Sequence, residues 1–151
     1  VAHPDTLSTM YDLAVVLNQQ GSWGEARRLY ERLLELQRKA KGESLPQAVS
    51  SMNNLAWLLA TCEETRLRDA ARAVELATQA TTLDGGERTC WNTLGAARYR
   101  AGDCRGAAQA LGKSMDLRKG GDSFDWFFLA MAHWQLGEKD RARARYDQAV
   151  A

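Results

Sequence analysis

Eight residues, Ala107-Ala108-Gln109-Ala110-Leu111-Gly112-Lys113-Ser114, end in the Gly-Lys-Ser of a relaxed phosphate loop. Such a loop needs a strand before it and a glycine-permitted curve that aims backbone N–H groups at a phosphate from a helix N-terminus. Here the match falls within a helical pattern, with Ala107 as its buried small residue, and nucleotide binding is not predicted. His3 and His133 are the only imidazoles, and neither has metal-binding spacing or a Ser or Cys nucleophile beside it. Cys62, Cys90 and Cys104 form an odd set without a CxxC pair, which predicts neither a disulfide framework nor a zinc site. Arg141, Arg143 and Arg145 alternate, so a helix spreads them around its surface as a solvated face rather than a phosphate-binding stripe. No catalytic residue, metal ligand or cofactor is predicted, and the chain is not expected to be an enzyme.

The bulk composition agrees. Twenty basic and 19 acidic residues leave a net charge of +1 over 151 residues, without the basic excess that draws a protein to nucleic acid or an anionic membrane. That balance points to protein partners. Reduced cysteines fit an intracellular, cytoplasmic setting. No apolar run approaches the roughly 20 residues that span a bilayer, and the first residues show no basic start followed by an apolar stretch and a cleavage site, so no targeting segment is expected in this stretch. The sequence starts at Val1 and stops inside a helical pattern at Ala151, so a piece of a longer protein is expected.

What organises the chain is repetition. Trp91-Asn92-Thr93-Leu94-Gly95, with Gly102 and Ala107 after it, returns 35 residues later as Trp126-Phe127-Phe128-Leu129-Ala130, Gly137 and Ala142. The Leu-small pair occurs four times, at Leu13-Ala14, Leu55-Ala56, Leu94-Gly95 and Leu129-Ala130, with offsets of 42, 39 and 35. From that Leu to a small residue of the following helix is 13 positions in three units, ending at Ala26, Ala107 and Ala142. In the unit ending at Ala73 it is 18, which puts five extra residues near Thr61 to Asp69.

Each unit reads as two helices. Met10, Leu13, Ala14 and Leu17 lay one apolar stripe, and Ala26, Leu29, Tyr30, Leu33 and Leu36 lay another after Gly21. Ser44-Leu45-Pro46-Gln47 reads as a capping box, Asp84-Gly85-Gly86 as a glycine stop, and Asp122 or Ser123 as the cap of the seventh helix. Gly21, Gly102 and Gly137 fall at hairpin turns, where the second unit has Arg68. Small residues at Gly95 and its equivalents let the paired helix approach, while Tyr30, Ala77, Leu111 and Tyr146 are expected to pack against the next unit.

These residues resemble the tetratricopeptide repeat family, marked by Trp, Leu-Gly, Tyr, Ala, aromatic, Ala and Pro at fixed spacing. The resemblance covers essentially the whole chain, although the terminal Pro of each repeat is absent and Arg98 and His133 stand where Tyr is usual. The first unit is similar to kinesin light chain repeats, and the later part to tails of large bacterial multidomain proteins, some with a Ser/Thr kinase domain. The resemblance implies an all-α, right-handed superhelical solenoid of eight helices. It also implies one domain over 1–151, with repeats near 5–40, 45–84, 87–119 and 122–151.

In such an array the first helix of each pair lines a concave groove that binds an extended or helical peptide. Helical arithmetic places Tyr11, Val15, Asn18, Asn53, Trp57, Asn92, Tyr99, Arg100, Phe124, Phe127, Met131 and Trp134 there. Asn53 and Asn92 occupy matching positions. Either they bind a passing peptide backbone, since an amide both donates and accepts, or they tie neighbouring helices together. Arg100 alone does not make a carboxylate clamp. Phe124, Phe127, Phe128 and Trp134 make the seventh helix apolar on most sides, marking a contact surface for a partner or a second copy, unless a further repeat covers it. A non-catalytic interaction module is therefore expected, with homo-oligomerisation, or regulation of a larger enzyme such as a kinase, as rivals.

Overall fold

The computed structural model describes residues 4–39 and 45–151. Among them are eight α-helices and no strand: α1 (Pro4–Gln19), α2 (Trp23–Lys39), α3 (Leu45–Thr61), α4 (Ala70–Leu83), α5 (Arg88–Arg100), α6 (Cys104–Arg118), α7 (Ser123–Gln135) and α8 (Lys139–Val150). The proposed capping box at Ser44 lies outside the described residues. Consecutive helices pair as antiparallel hairpins, and each even-numbered helix also lies against the next odd-numbered one. The odd-numbered helices touch one another in series, so they form one continuous layer and the even-numbered helices a second. This is an all-α solenoid.

Three of the four hairpin turns share one construction. Gly21, Gly102 and Gly137 have φ of +79°, +84° and +78°, a left-handed conformation that a Cβ disfavours. The next N–H in each case bonds a carbonyl five residues back: Ser22 to Leu17, Asp103 to Arg98 and Glu138 to His133, at 2.9 Å each. That pattern satisfies carbonyls at the helix end. The second unit turns differently, as Arg68 requires. A 3-10 turn at Thr65–Leu67 takes up the extra residues, and Arg68 stays extended at φ −70°. Its Nε donates to the Cys62 carbonyl at 2.6 Å, and Asp69 caps α4 by accepting from the Arg72 N–H at 3.0 Å. At the far end of α4 the expected glycine stop is not used. Asp84 is the C-cap, with φ −137°, and neither Gly85 nor Gly86 takes positive φ. The left-handed cap falls instead after α6, at Lys119 with φ 57°.

The core follows the repeat. Leu55, Leu94 and Leu129 are buried, as are Ala26, Ala73, Ala107 and Ala142. Gly95 is required where it stands, because a Cβ there would come within 2.5 Å of Leu111 Cγ on the paired helix. Two positions break the pattern, one at each end of the array. Leu13 is 50% exposed and Tyr146 is 53% exposed. Leu55 and Leu94 share a buried cluster with Tyr30 and Ala77 of the units before them, as Leu129 does with Leu111. Leu13 and Tyr146 have no such neighbour among the described residues, which corrects their assignment to buried faces. The phosphate-loop-like segment is helical, inside α6.

Candidate partner-binding groove

The candidate residues sit on the odd-numbered helices, which the small side chains of the repeat bring into one layer. Asn92 lies below the surface of this layer. It is buried, and its Nδ2 donates to Asp125 Oδ1 at 2.7 Å, tying α5 to α7. Asp125 is itself fully buried and completes a capping box with Asp122, whose Oδ1 accepts from the Asp125 N–H at 3.1 Å. Arg88 and Arg118 reach the other oxygen of Asp122 at 3.0 and 2.5 Å. Asn92 thus ties neighbouring helices, the second of its two expected uses, and its burial and its bond to Asp125 set it apart from Asn53.

Asn53 differs. It is half-buried, and its Oδ1 has no hydrogen-bond partner among the described residues. It lines a polar hollow with Tyr11, Asn54 and Glu87, between α1, α3 and the start of α5. Glu87 is held below the usual carboxylate range by the N–H and hydroxyl of Thr89. Asn54, which the repeat pattern did not single out, donates to the hydroxyls of Tyr11 at 3.1 Å and Tyr30 at 3.4 Å. Burial pushes the Tyr30 hydroxyl up to about 12. Tyr11 and Asn18 remain half-buried beside this polar end, and so does Val15.

The other end is aromatic. Phe124 of α7 reaches back past α5 to meet Trp57 of α3 edge to face, with centroids 5.9 Å apart. Phe128 packs on both Trp57 and Tyr99, at 6.3 and 6.0 Å. The small, buried Ala96 of α5 leaves room for this bridge. Phe128 is only 7% exposed, so it belongs to the core and not to the exposed patch expected of it. Trp57, Tyr99 and Met131 are half-buried against the same cluster. Phe124, Phe127 and Trp134 are exposed, at 58%, 38% and 59%. Beside them Tyr99, Met131, Trp134, Ala142 and Tyr146 line an apolar cavity of about 360 Å³. Arg100 is exposed at the end of α5.

His133 and the two buried cysteines belong to the structure of the array. His133 Nδ1 lies 2.6 Å from Glu138, and that hydrogen bond holds the Glu138 carboxyl below its usual range. Burial raises the Cys62 thiol and pushes the Cys90 thiol up to about 11, so both are poor nucleophiles. No group of His, Cys, Asp and Glu among the described residues could hold a metal ion. No described helix is long and apolar enough to cross a membrane.

Tetratricopeptide repeat models match residues 5–84, more than half of the chain, and residues 126–148. The chain belongs to the tetratricopeptide repeat family. Among curated proteins none matches it. Solved structures with similar folds include MamA from Desulfovibrio magneticus RS-1, from residue 41 to its end. That pair aligns with a TM-score of 0.75 and 12% identity over 95% of this chain and 73% of that one. MamA MSR-1 aligns with a TM-score of 0.71 and 16% identity over 99% of this chain and 79% of that one. Identities this low carry the fold and nothing finer. As a tetratricopeptide repeat solenoid, the chain is a protein–protein interaction or scaffold module.

Proposed function

We propose that the layer of odd-numbered helices holds a peptide segment of another protein and that the module has no catalytic role. The observation that carries this reading is the aromatic end of the layer. Trp57, Tyr99 and Phe128 are locked edge to face as a floor, while Phe124 and Trp134 keep 58% and 59% of their surface exposed above it. Large aromatic side chains on a rigid base give much contact area for little lost entropy, and such residues dominate interface energies. At the polar end Asn53 is half-buried with its Oδ1 unpartnered but buried, and a turn of its amide toward the surface brings that oxygen to a backbone N–H of the ligand. A bound segment would place apolar side chains over α7 and backbone amides over α3.

A phage-displayed peptide library panned on the chain tests this. Selected peptides should lose at least tenfold in affinity when Trp134 or Phe124 is replaced by Ala, with the melting curve unchanged, and should weaken with Asn53→Ala. Peptides that bind both aromatic variants as they bind the parent would remove the reading.

One observation favours self-association as a second reading. Phe127 and Tyr146 pair edge to face at 6.1 Å on α7 and α8, yet stay 38% and 53% exposed. Phe127→Glu should then dissociate a dimer seen by light scattering. A parent mass that stays at 16.8 kDa over a hundredfold concentration range would end that reading.

A further inference from the structure

The layer of even-numbered helices carries a feature that peptide capture on the opposite layer does not use. Between α2 and α4, over the start of α3, runs a cleft of about 520 Å³. That is within the range of ligand sites, about 300–1,000 Å³. Its apolar lining is Leu34, Met52, Leu76 and Leu83, and Leu83 remains 44% exposed. Gln37 also lines it. This residue is 7% exposed, and neither Nε2 nor Oε1 of its amide has a hydrogen-bond partner among the described residues. It sits one turn beyond Leu33 on the buried stripe of α2, where the equivalent residues of the next two units are Asp84 and Arg118.

A buried primary amide with both ends unpaired is expensive, and an apolar residue of similar size would serve the core better. The amide is therefore informative about what meets the cleft. We infer that this cleft is a second docking site, for an extended, uncharged polypeptide stretch with aliphatic side chains. A partner for Gln37 must offer an acceptor and a donor together. The peptide unit of an extended strand does so, whereas the peptide groups of a helix are already paired with one another. A carboxylate or an ammonium group satisfies only one end of the amide. The rim carboxylates Glu31, Glu35 and Glu75 are each ion-paired to an arginine or lysine, so they do not call for a cationic ligand, while Arg38 stands at the rim beside them. The lining of Leu34, Met52 and Leu76 takes the aliphatic side chain. Engagement turns the Gln37 amide about its terminal torsions toward the cleft, a side-chain change common at interfaces.

The probe is the capped peptide acetyl-Leu-Ala-Leu-N-methylamide, titrated into the full chain labelled with nitrogen-15 and methyl carbon-13. Saturable shifts are expected at the Gln37 side-chain amide and the Met52 methyl. Gln37→Leu should bind at least tenfold more weakly and melt at a higher temperature than the parent. Trp134→Ala should bind the probe as the parent does, which separates this site from the aromatic end of the other layer. Shifts confined to the aromatic residues of α7, or no saturation up to the solubility of the peptide, would overturn the inference. So would equal binding by Gln37→Leu. A fall in the melting temperature of Gln37→Leu would show the amide already satisfied by trapped water and would overturn it equally.

Discussion

Asn53 and Asn92 have the same place in their repeats and different surroundings, and the difference comes from one neighbour. Asn92 faces Asp125, which the seventh helix supplies as part of its own cap, whereas Asn53 faces the polar hollow lined by Glu87. Replacing Asn92 by Ala leaves a buried carboxylate oxygen without its donor. That should lower stability by about 1–3 kcal/mol in chemical denaturation. Peptide binding at the aromatic end should be kept when the variant is assayed well below its melting point. Tyr30 gives a pH signature. Its folded-state pKa, about 12, lies above the ordinary 10.0, so its contribution is complete below pH 10 and is lost as pH rises through 12. Melting temperatures of the parent should fall over that window more than those of Tyr30→Phe. Parallel curves for the two proteins would show that the hydroxyl ionises freely.

Helix by helix, capping decides where the chain turns. Asp122 caps α7 and receives two arginines, Arg88 from α5 and Arg118 from α6, so three helices meet at one carboxylate. Asp122→Ala removes the cap and should cost about 1 kcal/mol in denaturant unfolding. Because both ion pairs are partly exposed, they add little, and 0.5 M salt should leave that difference nearly unchanged. A difference that vanished in salt would instead put the stability in the ion pairs. The turns themselves were legible where glycine marked them, at Gly21, Gly102 and Gly137. They were less so at Gly85-Gly86, since a glycine pair permits a left-handed cap without requiring one, and Asp84 already ends α4 in an extended conformation.

Across the whole solenoid, stability is a sum of neighbouring interfaces, and it is uneven. The largest buried cluster joins α1 to α6 through Leu55, Leu59, Leu76 and Leu94, whereas α8 buries only Ala142. Amide hydrogen exchange should therefore be slowest in α3 and α5 and fastest, among the helices, in α8. Equal protection along the chain would mean that the array unfolds as one unit.

The repeat, its helix pairs, the five-residue insertion in the second unit and the need for a small residue at position 95 could all be read from the sequence. They rest on spacing, and spacing along a helix fixes which side chains share a face. The aromatic character of the seventh helix was equally plain. Which of its rings would be core was not: Phe124 and Phe128 lie one turn apart on the same face of α7, yet Phe128 is buried while Phe124 projects. That depended on α3 coming close enough, over Ala96, for Trp57 to meet both rings. The partners of Asn92 and Asn54, the isolation of the Gln37 amide and the exposure of Leu13 and Tyr146 were likewise decided in three dimensions. Each depends on what a neighbouring helix presents at close range, and a repeat fixes the type of residue at a position without fixing its neighbour.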